Sequence, residues 1–191
     1  NIPTSVVTIE LYAFLNCSLL NSFTVASTNQ QYMSDSKSVL YNKNQSELIQ
    51  YPSSKTETEY TLPNTVKTIK RYAFYNSNNL EKIILSENLE TIEISSFESC
   101  KKLTNIIIPN NVKTIGKLAF RYCQSLKEIE IPTSVEIIEE GAFENCVNLK
   151  TVKIEYNEKG ELALYKLIAP SLCTELEMSF GEDTIINFPS S

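Results

Sequence analysis

Apolar residues return along this chain at a fixed interval. Phe74, Phe97, Phe120 and Phe143 lie 23 residues apart, and so do Leu80, Leu103, Leu126 and Leu149. Three further columns keep the same register: Ile69, Ile92, Ile115 and Ile138; Val66, Leu89, Val112 and Val135; and Ile83, Ile106, Ile129 and Val152. A constant period between about 20 and 50 residues is the signature of a stacked-repeat architecture. A single unit of this size cannot bury its own inner face, so neighbouring units must bury it by stacking.

Within the unit 103–125 the alternation of apolar and polar positions predicts where the chain turns. Leu103, Ile106 and Ile108 point one way and Asn105 and Ile107 the other, which predicts a short strand over 105–108 ended by Pro109. Pro109 and Asn110 make a corner, and 112–115 predicts a second, shorter extended segment. Ala119 and Phe120, with Cys123 and Leu126 three and six residues beyond Phe120, suit a single helical or 3₁₀ turn.

The first unit, with Val6, Ile9, Phe14, Cys17 and Leu20, matches Val66, Ile69, Phe74, Ser77 and Leu80 at an offset of 60 instead of 23. An insertion across about residues 26–59 accounts for the difference. In it, 39–41 and 48–51 flank a polar run at 42–46, the pattern of a hairpin with a longer loop. Beyond Ile154 the register stops. The segment 157–160 reads as a turn, 161–168 as a returning strand, and Met178, Phe180, Ile185, Ile186 and Phe188 make the remainder apolar enough to cover a solenoid end. The expected organisation is a solenoid over 1–154 and a C-terminal capping segment over 155–191.

The units "LTNIIIPNNVKTIGKLAFRYCQS" and "LKEIEIPTSVEIIEEGAFENCVN", with the insert "SVLYNKNQSELIQYP", resemble the BspA-like, treponemal-type leucine-rich repeats. The resemblance covers residues 2 to about 154. It implies a right-handed solenoid, β-rich with short helical turns, of about five 23-residue coils; that hand agrees with the general chirality of parallel-strand crossovers. Unit three departs from the pattern, with Ser86 in place of the corner proline and Ser77 in place of the cysteine, which puts its corner geometry in question. The resemblance further implies cell-surface display or secretion, and adhesion to a host or extracellular-matrix protein.

Cysteine is the one residue type that raises a chemical question. Cys17, Cys100, Cys123 and Cys146 occupy a single repeat position, with Ser77 as the exception. A position set by the repeat is a packing position, where a free thiol acts as a small hydrophobe. In-register coils about 4.8 Å apart would hold the Cβ atoms farther apart than the ~3.8 Å usual in a disulfide, and three consecutive thiols would leave one unpaired. Cys173 lies outside the repeat, and with no histidine in the chain it lacks the usual general base. Only four glycines occur, too dispersed for a phosphate-binding loop. Glu139 and Glu140 are adjacent on an extended segment and point apart. No catalytic residues, no metal site and no cofactor are expected, and the protein is read as a non-enzyme.

Charge narrows the partners. A formal net charge of −6 disfavours binding to a nucleic-acid backbone. No apolar run approaches the ~20 residues needed to span a bilayer, so no membrane insertion is expected within this segment. The sequence opens at Asn1 without a signal-like leader, which suggests a fragment or a processed product. Asn16 and Asn44 begin N-glycosylation acceptor patterns.

Outward positions also form columns, and a binding surface would be written there. Lys67, Glu90, Lys113 and Glu136 alternate in charge along the stack and favour its register. Ile84 and Ile107 should lie side by side on the outward strand face, followed in that column by Glu130. Lys82, Asn105 and Glu128 would supply a polar rim, and the hairpin would add Tyr41 and Tyr51. Phe14, Phe74, Phe97, Phe120 and Phe143, together with the repeat cysteines, are expected in the core. The expected function is a protein-interaction module, with an intracellular structural scaffold as the alternative.

Overall fold

Each 23-residue coil crosses two sheets and returns through a tight turn. The computed structural model describes residues 1–154 and, beyond them, the strands at 177–180 and 184–186. In chain order the strands are β1 (Tyr32–Ser34), β2 (Leu40–Asn42), β3 (Glu47–Gln50), β4 (Glu59–Thr61), β5 (Thr68–Ile69), β6 (Lys82–Ile84) and β7 (Thr91–Ile92). They continue as β8 (Thr114–Ile115), β9 (Glu128–Ile131), β10 (Ile137–Ile138), β11 (Thr151–Ile154), β12 (Glu177–Phe180) and β13 (Thr184–Ile186).

One sheet runs β1-β2-β3-β5-β7-β8-β10, antiparallel within the hairpin strands β1 to β3 and parallel from there on. The other face holds β4 beside β6 and, farther along, β9, β11, β12 and β13. Parallel partners such as Glu59 and Lys82, Thr68 and Thr91, and Glu128 and Thr151 are one period apart, so the apolar columns stack as the sequence predicts. Between β6 and β9 the 103–108 coil contributes only isolated bridges, Lys82 to Asn105 and Ile107 to Glu130.

Proline sets the corners. The amides of Val66, Val112 and Val135 donate to the carbonyls of Pro63, Pro109 and Pro132. Ser86 makes the same turn, with Leu89 N–H donating to its carbonyl at 3.0 Å, so losing the proline leaves the corner intact.

The turn after each short strand is tighter than a helix. Tyr72, Ser95, Leu118 and Gly141 have positive φ, as do Asn76, Ser99, Tyr122 and Asn145 four residues on. Between them the amides alternate in direction. Ala73, Tyr75 and Ser77 bond back to Lys70, Tyr72 and Phe74, while Tyr72, Phe74 and Asn76 bond forward to Ile94, Ser96 and Glu98 of the next coil. The expected helical turn is therefore a run of β-turns, because half its amides join the stack; none of the described residues forms a helix.

Phe74, Phe97, Phe120 and Phe143 stack face to face at 4.9, 5.1 and 5.5 Å between centroids, with planes within 8°. Tyr51 extends this ladder, stacked on Phe74 at 5.1 Å. The 23-residue register thus reaches back to Tyr51, and β3 belongs to the stack although the sequence reading placed it inside the insertion. That reading broke at Glu57, which occupies the Leu80 column. Beside it Lys55 is buried and extends its Nζ to Glu57 Oε1 at 3.0 Å.

The hairpin divides two cores. Tyr41 and Leu48 face the main core, while Leu40 and Ile49, on the other side of the same strands, face a smaller one built from Ile2, Val6, Ile9, Phe14, Leu20 and Phe23. Phe14 meets Phe23 edge-on at 4.8 Å and is only half-buried, and Cys17 is exposed. Both were expected in the common core columns. They depart from it because the hairpin sheet, and not a neighbouring coil, packs against the first unit. The proposed returning strand at 161–168 and Phe188 lie outside the described residues.

Candidate binding surface

The thiols answer the chemical question first. Cys100, Cys123 and Cys146 are buried, and their Sγ atoms donate to the carbonyls of Phe74, Phe97 and Phe120 at 3.1, 3.2 and 3.0 Å. Each of these carbonyls also accepts the local turn amide, so the thiol ties one coil's turn to the turn of the coil before it. Burial pushes the Cys100 thiol up to about 12 and the Cys123 thiol well above the ordinary range, because a thiolate there would have no water. A group held protonated is a poor nucleophile. Ser77 leaves its hydroxyl unpartnered, and the carbonyl in the equivalent place, that of Tyr51, accepts from Gln50 Nε2 at 3.1 Å.

Ile84 and Ile107 are brought together on the strand face, 49% and 75% exposed. They flank a hollow of about 320 Å³ whose walls include Lys82 and Asn105, as the column reading expected. Leu85, Ile108 and Pro109 give it an apolar floor, and Glu87 and Asn110 add polar groups. The sequence reading missed Glu87 and Asn110. The signal was available, since each lies three residues past an isoleucine of the outward column. The hollow lies where the sheet is reduced to single bridges, so interrupted pairing and exposed apolar side chains coincide. Glu128 and Glu130 are exposed on β9 and do not line it; Glu128 sits 3.8 Å from Lys153 instead.

Tyr41 and Tyr51 are elsewhere. Both are buried in the core, 0% and 1% exposed, and offer nothing to a partner. β2, which carries Tyr41, and β3, which ends just before Tyr51, are covered on both sides, which a projecting hairpin would not be. The Tyr41 and Tyr60 hydroxyls share a short hydrogen bond, and Tyr60 Oη donates to Asp35 Oδ2 at 3.0 Å. Burial raises the pKa of all three tyrosines well above the ordinary phenol value.

The charge column forms as expected, with Lys67 bonded to Glu90 at 2.9 Å and Lys113 at 3.6 Å from Glu136. Among the described residues no group of three or more His, Cys, Asp or Glu side chains could hold a metal ion, and no helix is long and apolar enough to cross a membrane.

Comparison with known proteins adds a family and a set of folds. The model of the BspA type leucine rich repeat region matches in six copies over residues 1–60 and 53–161. A leucine-rich repeat protein from Eubacterium ventriosum is 31% identical, with a TM-score of 0.77 over 92% of this chain. The pneumococcal vaccine antigen PcpA is 29% identical, with a TM-score of 0.80 over 95%. A leucine rich cell surface protein from Faecalibacterium prausnitzii is 27% identical, with a TM-score of 0.64 over 85%. The chain spans 49%, 44% and 51% of the lengths of these three structures. No curated protein matches the sequence.

Proposed function

The chain belongs to the BspA-type leucine-rich repeat family, and from that premise we propose that it is a non-catalytic adhesion module, displayed at a cell surface, whose strand face binds a host or matrix protein. Leucine-rich repeat solenoids are typically non-catalytic protein-interaction modules, and two of the similar structures are a vaccine antigen and a cell surface protein. The observation that carries the reading is the Ile84 and Ile107 pair. On a one-sided sheet outward positions are normally polar, and here two adjacent aliphatics border a hollow with a polar rim.

The test is binding of the purified chain to a panel of extracellular-matrix and plasma proteins, beside an Ile84→Thr/Ile107→Lys variant. Both positions are exposed, threonine keeps strand propensity, and a lysine at 107 faces Glu130, so the variant should melt like the parent. Saturable binding lost in the variant supports the reading. Binding retained moves the contact off this face, and no binding to any panel member removes the adhesive role.

One observation favours the scaffold alternative. Cys17 is an exposed free thiol, which persists most readily in a reducing compartment. Glycans at Asn16 or Asn44 in native material would argue against that compartment.

A further inference from the structure

One coil is two residues short, and the shortfall opens a groove. Leu48 pairs with Ile69 and Tyr51 stacks on Phe74, so three residue steps in one coil lie beside five in the next. Arg71 and Tyr72 therefore stand out past a coil with no matching turn. On the far side the turn of the first unit, bearing Leu11 and Tyr12, stands out as well. Between these two ridges lies a groove of about 900 Å³ with Ile49 and Gln50 in its lining, within the range of small-molecule sites.

The two ridges present aromatic rings. Tyr12 is 59% exposed, and its ring lies 5.4 Å from that of Tyr72, which meets Tyr75 edge-on at 5.8 Å. Tyrosine faces left in reach of water are suited to stacking against the C–H face of a ligand. Gln30, Gln31 and Asn44 also line the groove: Gln30 Nε2 donates to the Thr28 carbonyl and Asn44 Oδ1 accepts from Ser46. That leaves the Gln30 oxygen, the Asn44 amino group and the whole Gln31 amide to meet a hydroxyl-rich ligand, while Asn42 is taken up by Ser46 and Glu47.

Charge argues against a ligand of net charge. Glu10, Glu47 and Glu93 balance Lys43, Lys70 and Arg71 around the groove. Several already answer one another: Lys70 lies 2.8 Å from Glu93 and 3.8 Å from Glu47, and Arg71 lies 3.7 Å from Glu93. A ligand with net charge would find no surplus of the opposite sign. We propose that this groove binds a neutral oligosaccharide, a sugar ring laid on the exposed Tyr12 beside Tyr72 and its hydroxyls bonded by Gln31, Gln30 and Asn44. The site lies apart from the strand face and does not depend on the adhesive reading.

The experiment titrates the whole chain with maltotetraose, cellotetraose and chitotetraose to millimolar concentration, followed by saturation-transfer NMR and calorimetry. At least one should bind, and Tyr12→Ala should weaken it about tenfold with an unchanged melting temperature, because that ring is exposed. Gln31→Ala should weaken it less, and Ile84→Thr/Ile107→Lys should leave it unaltered. The proposal is overturned if none of the three sugars binds, or if binding survives both Tyr12→Ala and Gln31→Ala. Binding of a proline-rich peptide in place of any sugar would also overturn it and reassign the groove to an extended chain.

Discussion

The first unit and the coils from Val66 to Val152 are written in the same columns, yet they are packed differently. In the later coils the phenylalanines stack within 8° of parallel and the thiols are buried. In the first unit Phe14 is half-buried and meets Phe23 edge-on, Cys17 is exposed, and Leu19 is 88% exposed. The motif specifies a shape for one coil, but burial belongs to the pair of coils that meet. Where the neighbour is a hairpin sheet, the same residues find a different partner.

The widest gap between the two regions should appear on removing a ring. Phe120→Ala deletes a fully buried member of the ladder with a stacked ring on each side, and should cost ~3–5 kcal/mol in denaturant unfolding. Phe14→Ala should cost about 1–2 kcal/mol, since part of that ring already faces water. Equal losses at the two positions would mean that the first unit is stacked like the rest.

Thiols separate the regions next. In native protein a thiol reagent should label Cys17 at once and leave Cys100, Cys123 and Cys146 untouched until unfolding, as read by peptide mapping. Burial raises the folded pKa of Cys100 to about 12, against an unfolded value of ~8.5. In that window the unfolded chain has released a proton that the folded chain still holds. Stability is therefore complete below the unfolded value and falls as pH rises, by ~1.4 kcal/mol per pH unit for each such thiol. Cys100→Ala should flatten the alkaline slope by about that amount.

Backbone strain gives a smaller effect. Gly141 has φ of +67°, and a Cβ there would lie 2.7 Å from Leu118 Cδ2. Gly141→Ala should cost about 1–2 kcal/mol. Tyr72, Ser95 and Leu118 bear the same conformation without glycine, because each amide in turn is fixed by the next coil's carbonyl. Stacking over-determines a backbone angle that local preference would refuse.

That contrast also marks what the sequence could disclose. The period, the aromatic and thiol columns and the alternating charges were legible because each recurs in register, and an in-register stack turns recurrence into contact. The thiol-to-carbonyl bonds were not, since a column of small residues is compatible with simple packing; only Ser77, left without a partner, hints that sulfur reaches a carbonyl that oxygen here does not. Tyr41 and Tyr51 misled because period-two alternation separates two faces of a strand without saying whether a second layer covers either. Tyr51 lies one period before Phe74, yet Glu57 in the leucine column disguised the coil that holds it. The sugar-sized groove comes from a two-residue deficit that is visible only once Leu48 is known to pair with Ile69.

The smallest expected effect tests the stack from outside. Lys113 lies between Glu90 and Glu136 in its column; its amide donates to the Glu90 carbonyl and its Nζ is 3.6 Å from Glu136 Oε1. Its side chain is 55% exposed, so water screens the pair and little stability rests on it. Lys113→Glu would set three carboxylates in a row along neighbouring coils, a change of about 0.5–1 kcal/mol at low salt. The loss should fade toward 1 M salt, where the Debye length is about 3 Å and shorter than the spacing between coils. The corresponding residue of the first unit is Val7, 68% exposed and an uncharged end to the column. Val7→Lys should therefore change stability by no more than about 0.5 kcal/mol, with little salt dependence. A salt-sensitive gain there comparable to the loss at Lys113 would show that the first unit's outer edge is held in the same charge register as the regular coils.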